Sequence, residues 1–215
     1  MSSAGFHPLD VPRLRRAAKK LAHADPALAD VLQTHGPPPL WKRPATFATF
    51  VRIILEQQVS LDSAKSVFDR LAKRCGRPVT AAGILVLGQG RLRELGVTRQ
   101  KTRYIIALAS DVRDRRFRIG SLRHLGNQQQ RNQITSRLGL GRWSADIFQL
   151  MALCHPDVLP VGDLALVKGM RDLDGGAYQT EQDVIDRAQH WRPYRSVATR
   201  MIWQLYLHRR GRRAP

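Results

Sequence analysis

Cysteines, acidic residues and long apolar runs are all scarce in this 215-residue chain. The only cysteines are Cys75 and Cys154, and neither sits in a CxxC pair. That excludes a four-cysteine zinc site or an iron–sulfur cluster built from this chain alone. A disulfide between them stays open, although isolated thiols are more often buried and reduced. No apolar run reaches the ~18 residues of a membrane span, and no signal-peptide core opens the sequence. The expectation is therefore a cytoplasmic protein, nucleoid-associated if prokaryotic, with no membrane partner. Seven histidines are scattered without an HExxH or similar spacing, which argues against a catalytic metal. Alternating apolar and polar runs are too short for strands, so the expected fold class is all-α.

Against 17 Asp and Glu stand 36 Lys and Arg, giving a net charge of +19. An excess of that size on a folded chain points to a polyanion, nucleic acid first and an anionic membrane second. With 43% hydrophobic residues, a globular interior is within reach. Met1 to Leu9 reads as a loose lead-in. Asp10 caps a helix over Val11 to about Ala24 that carries Arg13, Arg15, Arg16, Lys19 and Lys20 on a solvated face. Asp25-Pro26 restarts a helix by the N-cap and N1-proline rule, and Gly36 with Pro37 to Pro39 closes it as a lobe boundary. Thr46 to Gln58 has a wide apolar face (Phe47, Phe50, Val51, Ile54, Leu55) suited to a core. Ser60 caps the next helix, to Cys75. Leu95 to Arg99 weakly echoes the Leu138 turn and opens a helix to about Asp114; a plain cap at Thr98 is favoured over nucleic-acid backbone contacts at this turn, with Lys101 and Arg103 in the first turns of the helix. Thr180 to Arg213 gives two helices broken at Trp191-Arg192-Pro193, then a basic, solvated tail.

The chain is organised around Leu138 to Asp163. Asn127 is a plausible N-cap for a polar helix ending near Arg137. Leu138-Gly139-Leu140-Gly141 then reads as a tight turn in which both glycines can take positive φ. Trp143, Ile147, Leu150, Met151 and Cys154 recur at helical spacing, so the next helix runs to near His155-Pro156. A glycine turn opening a helix presents free N–H groups to an anion, with Arg142 beside them. Taken alone, the turn is at least as readily an ordinary helical hairpin, and Asp163, twenty residues after Trp143, is more readily a helix cap.

LGLGRWSA followed by Asp163 resembles the helix-hairpin-helix plus Gly/Pro-Asp motif of the base-excision DNA glycosylases (HhH-GPD), in the 3-methyladenine DNA glycosylase II branch for alkylpurines. Ile53 to Ser60, Trp191 to Ala198 and Trp203 agree, so the resemblance spans about residues 25 to 207. It implies two helical lobes with an active-site cleft between them; the chain is expected to depart from some relatives in having no iron–sulfur cluster, for want of cysteines, and no N-terminal β-domain. The corresponding organisation is 1–40 packing with the C-terminal lobe, 41–154 with the hairpin at 128–153, 155–207 with the catalytic loop, and a tail at 208–215.

The resemblance also assigns roles. Asp163 is the catalytic carboxylate, and Trp143 and Trp203 line the base pocket. Gln57, Gln58, Gly139, Gly141 and Arg142 bind DNA, with Gln58 as the wedge where many relatives have an aliphatic residue. The carbonyls of Thr135, Arg137 and Leu140 match a structural Na+ or K+ site; no other cofactor is required. Trp143 stands where bifunctional relatives carry a Schiff-base lysine, and Lys168, the only lysine after residue 140, does not match that place. The implied protein is a monomeric, monofunctional glycosylase of damaged double-stranded DNA, without lyase activity. Two alternatives remain: a glycosylase for deaminated or oxidised bases, and a noncatalytic helix-hairpin-helix DNA-binding protein.

Overall fold

A computed structural model describes residues 7–176 and 178–211. It is all-helical, with no strand among the described residues. Eleven α-helices follow in order: α1 (Val11–Ala24), α2 (Pro26–His35), α3 (Phe47–Glu56), α4 (Leu61–Cys75), α5 (Ala81–Glu94), α6 (Arg99–Arg113), α7 (Asn127–Thr135), α8 (Arg142–Met151), α9 (Leu164–Asp174), α10 (Glu181–Arg187) and α11 (Arg195–Arg209). The chain forms two compact units. One is Arg43–Phe148; the other joins the described residues up to Lys42 to those from Gln149 onward.

In the Arg43–Phe148 unit, α3 buries seven of its ten residues. Phe50 stacks on Phe148 at 4.0 Å and meets Phe117 edge-on at 5.4 Å, so aromatic contacts tie α3 to α8. α6 packs on α3 and α5, and Thr98 caps α6 through the Lys101 N–H. α5 is bent at Gly88, where φ is +72°. α7 starts one residue earlier than expected. Gly126, not Asn127, is its N-cap, and the Gln129 side chain takes the Gly126 N–H.

In the other unit, α1 buries Leu14, Ala17, Ala18 and Leu21 and exposes the five expected basic residues. Asp10 and Asp25 cap α1 and α2 with their carboxylates. Leu9 is not loose. It is buried, and its N–H donates to the Cys154 carbonyl at 2.8 Å. Cys154 itself is not helical: α8 stops at Met151, and Cys154 has φ +55°. Deep in the unit the Trp191 indole donates to Asp25, which also pairs with Arg187. Burial raises the Asp25 carboxyl, but those hydrogen bonds and the Arg187 charge bring it below the usual range. Met1–Phe6, at the start of the expected lead-in, and Arg212–Pro215, the end of the basic tail, lie outside the described residues. No helix among the described residues is long and apolar enough to cross a membrane.

One buried group gives this unit a pH dependence. Burial pushes His155 down from 6.5 to about 4. Between those values the unfolded chain takes up a proton that the folded chain does not. Stability is therefore full above the unfolded value and falls as pH drops towards the folded one, by roughly 3 kcal/mol. Urea denaturation at pH 7 and near pH 4.5 should show the loss, and His155→Gln should flatten it. An unchanged slope in that variant would assign the loss to other groups.

Candidate active site and nucleic-acid interface

The expected site residues divide between the two units. Gln57, Gln58, Thr135, Arg137, Gly139, Leu140, Gly141, Arg142 and Trp143 belong to the Arg43–Phe148 unit, and Asp163 and Trp203 to the other.

In the hairpin between α7 and α8 the two glycines differ. Gly139 has φ +80°, whereas Gly141 is not in the positive region, which corrects the expectation for both. A Cβ on Gly139 would stand inside the Tyr104 ring, while one on Gly141 would meet nothing within 4 Å. Gly139→Ala should therefore cost about 2–4 kcal/mol through strain and overpacking. Gly141→Ala should change stability by no more than about 0.5 kcal/mol. Thermal melts of the pair test this, and equal losses would contradict it.

The α3–α4 connection braces the hairpin. Gln57 Nε2 donates to the Gly139 carbonyl at 2.8 Å and to Ser144 Oγ at 3.1 Å. Lys101 donates to the carbonyls of Leu55 and Gln57, each at 2.8 Å. It thus occupies the negative end of α3, and burial lowers its pKa. This internal role stands in place of an outward contact with nucleic acid. Gln58 follows at φ +55° with its side chain exposed, next to the exposed Val59. The loop is thus anchored at Gln57 and presented at Gln58.

Beneath the first turn of α8, Asp146 is fully buried and holds Arg131 at 2.5 Å, with Arg142 at 3.9 Å. Arg142 is half exposed at the helix start, and Trp143 beside it is half-buried. Arg137 turns inward to Asp111 at 3.2 Å. Thr135 ends α7, where helix carbonyls lack intrahelical donors, and the Arg137 carbonyl accepts the Leu140 N–H. Lys and Arg number 20 against seven Asp and Glu in Arg43–Phe148, so most of the net charge lies in the hairpin's own unit.

In the other unit Asp163 is 9% exposed and caps α9. Its Oδ1 accepts the Leu166 N–H at 2.8 Å and the Trp203 Nε1–H at 3.0 Å. The cap and the tie to Trp203 coexist, so the cap is what fixes the carboxylate. α9 and α11 approach closely because Gly169 has no side chain. A Cβ there would lie 2.9 Å from the Ile202 carbonyl. Trp203 also packs against Trp41, with centroids 6.2 Å apart. The fully buried Arg200 donates to the carbonyls of Leu40, Ser196 and Leu150 at 2.7–2.9 Å. Burial lowers its pKa to about 10. Sequence reasoning missed Trp41, Lys101 and Arg200 in these roles. A cation within the apolar spacing of Val197, Met201 and Leu205 was the one available signal, for Arg200.

Residues 51–193 match the family model of the HhH-GPD superfamily base excision DNA repair proteins. The chain belongs to this superfamily. It is 30% identical over 212 residues to the probable bifunctional transcriptional activator/DNA repair enzyme AlkA of Mycobacterium tuberculosis, covering 93% of this chain and 41% of that protein. It is 21% identical to the putative DNA-3-methyladenine glycosylase YfjP of Bacillus subtilis, covering 83% of this chain and 65% of that one. It thus spans only part of these curated relatives. The crystal structure of a DNA-3-methyladenine glycosidase from Bacillus halodurans superposes with a TM-score of 0.75 at 26% identity, covering 93% of this chain and 91% of that one. The Schizosaccharomyces pombe 3-methyladenine DNA glycosylase, solved with abasic DNA, shares the fold with a TM-score of 0.76 at 20% identity, covering 87% and 95%.

Proposed function

We propose that this HhH-GPD protein is a monofunctional DNA glycosylase that extrudes an alkylated purine from duplex DNA and hydrolyses its N-glycosidic bond. The observation that carries the reading is the Asp163 carboxylate, nearly buried and oriented by the Leu166 and Trp203 N–H groups. As the bond to the base breaks, its electron pair leaves with the base and the sugar gains oxocarbenium character. A fixed carboxylate stabilises that charge and orients the incoming water. Water oxygen bonds to C1′, the water proton is lost, and an abasic site remains. A base alkylated on a ring nitrogen leaves without a general acid, and the aromatic ring of Trp203, hydrogen-bonded to Asp163, suits its delocalised cation. A lysine nucleophile is missing where Trp143 stands, which supports hydrolysis without strand cleavage.

DNA would lie on the hairpin unit. Open space over Gly141 and the helix N-terminus at Arg142 suit a phosphate, and exposed Gln58 suits a wedge into the gap left by the extruded nucleotide. Carbonyls of Thr135, Arg137 and Leu140, at the negative end of α7, would hold an alkali cation that adds charge complementary to the same phosphate. Gly141→Ala should bind an abasic-site duplex about tenfold more weakly, because its methyl takes the space of the DNA backbone.

The deciding experiment is base release from methylated duplex DNA, with borohydride trapping in parallel. Free 3-methyladenine or 7-methylguanine without a trapped adduct is the expected result. A trapped adduct with cleaved strand would make the enzyme bifunctional. Tight DNA binding with no base released from methylated, hypoxanthine or uracil DNA would make it a binding protein.

A further inference from the structure

Trp41 combines three features that a merely structural tryptophan does not need. Its backbone lies at φ +45°, a region that bulky side chains rarely adopt. Its indole Nε1 is enclosed by protein and has no hydrogen-bond partner among the described residues. Its ring packs on Trp203, tilted by 54° rather than stacked. Each of the first two is unfavourable to the folded chain, and such features persist where surrounding structure imposes them. Arg200 holds the adjoining backbone in place. Its Nε donates to the Leu40 carbonyl at 2.9 Å, on the peptide that leads into Trp41. Its other two nitrogens fasten that carbonyl to Ser196 and Leu150.

Trp203 is fixed by its hydrogen bond to Asp163, so of the two rings Trp41 is the one without an anchoring side-chain bond. The centroid spacing of 6.2 Å is a little short of the ~7 Å that a flat ring needs between two others at van der Waals distance. A small outward rotation of Trp41 would admit a purine beside Trp203 and uncover the indole N–H at the same time.

Building on the glycosylase reading, we propose that Trp41 is a base-contacting, specificity-determining residue. Its ring forms the wall opposite Trp203, and its N–H is a donor kept for an acceptor atom of the extruded purine. The donor matters most for a neutral base. When the bond between C1′ and N9 of hypoxanthine breaks, both electrons go to the base, and its nitrogen and oxygen acceptors gain negative charge. A hydrogen bond to one of them strengthens in the transition state and so raises the rate. An alkylated, cationic base becomes neutral as it leaves and gains little from the same donor. Trp41 therefore extends the substrate class from cationic alkylpurines to neutral deaminated purines.

Trp41→Phe keeps an aromatic ring and deletes the N–H. Both activities lose contact with the smaller ring, but release of hypoxanthine should fall about tenfold more in kcat/KM than release of 7-methylguanine, because only the neutral base also loses the donor. A wild-type enzyme that frees 7-methylguanine but not hypoxanthine overturns the inference, as does an unchanged ratio of the two rates in Trp41→Phe. If wild type frees neither base, the glycosylase reading fails as well. An altered or unaltered ratio can be read only where 7-methylguanine is released, so the two failures are distinguishable.

Discussion

Asp163→Asn is expected to keep the fold and to lose base release by about 10³-fold. Asparagine caps a helix as well as aspartate does, so its amide oxygen can still accept the Leu166 and Trp203 N–H groups now held by Oδ1. What disappears is the negative charge beside the developing oxocarbenium ion, together with the capacity to orient water through a carboxylate. Melting temperature and affinity for an abasic-site duplex should stay near wild type while single-turnover release collapses. If release is unchanged, Asp163 is a helix cap and nothing more. If the variant melts far lower, the loss of activity says nothing about chemistry. Asp163→Ala makes the contrast: it should lose the activity and also about 1 kcal/mol of stability, from the missing cap.

Arg200→Ala should produce the largest loss of stability in the chain, about 3–5 kcal/mol, comparable to breaking a buried charged pair. The side chain is fully buried and satisfies three carbonyls, on Leu40, Ser196 and Leu150. No carboxylate partner among the described residues forms an ion pair with it, so its charge is stabilised by carbonyl dipoles, and burial brings its pKa down to about 10. Truncation leaves those carbonyls without their donor and opens a cavity as well. Arg200→Lys, with a single nitrogen, should recover only part of the loss, because one ammonium cannot match a fork that spans three elements. Urea denaturation of the three proteins ranks them. Equal stability of wild type and Arg200→Ala would mean that water replaces the guanidinium freely and that the clamp holds nothing.

Much of the scaffold was legible in the residues. Asp10, Asp25, Ser60 and Thr98 cap the helices they announce because a cap is a local interaction of a few residues. Phe47 to Leu55 is buried as its apolar breadth requires. Local rules failed where tertiary contacts compete with them. Cys154 fits the helical spacing of α8, yet the chain leaves the helix at Met151 and the Cys154 carbonyl takes the N–H of Leu9. Lys101 looks like any exposed basic residue of a first turn, but the end of α3 comes close enough to accept its ammonium.

By itself the sequence determined an all-helical, strongly basic chain with a glycine hairpin and, twenty residues beyond Trp143, an aspartate placed to cap a helix. These follow from composition and from interactions a few residues long. Only the tertiary structure decided what each glycine is for, because the Tyr104 ring against Gly139 comes from another helix. It alone joined Asp163 to Trp203, forty residues apart, and Arg200 to Leu40, 160 residues apart. Hydrogen bonds at such separations leave no periodicity in the chain; they exist only once packing brings the partners together.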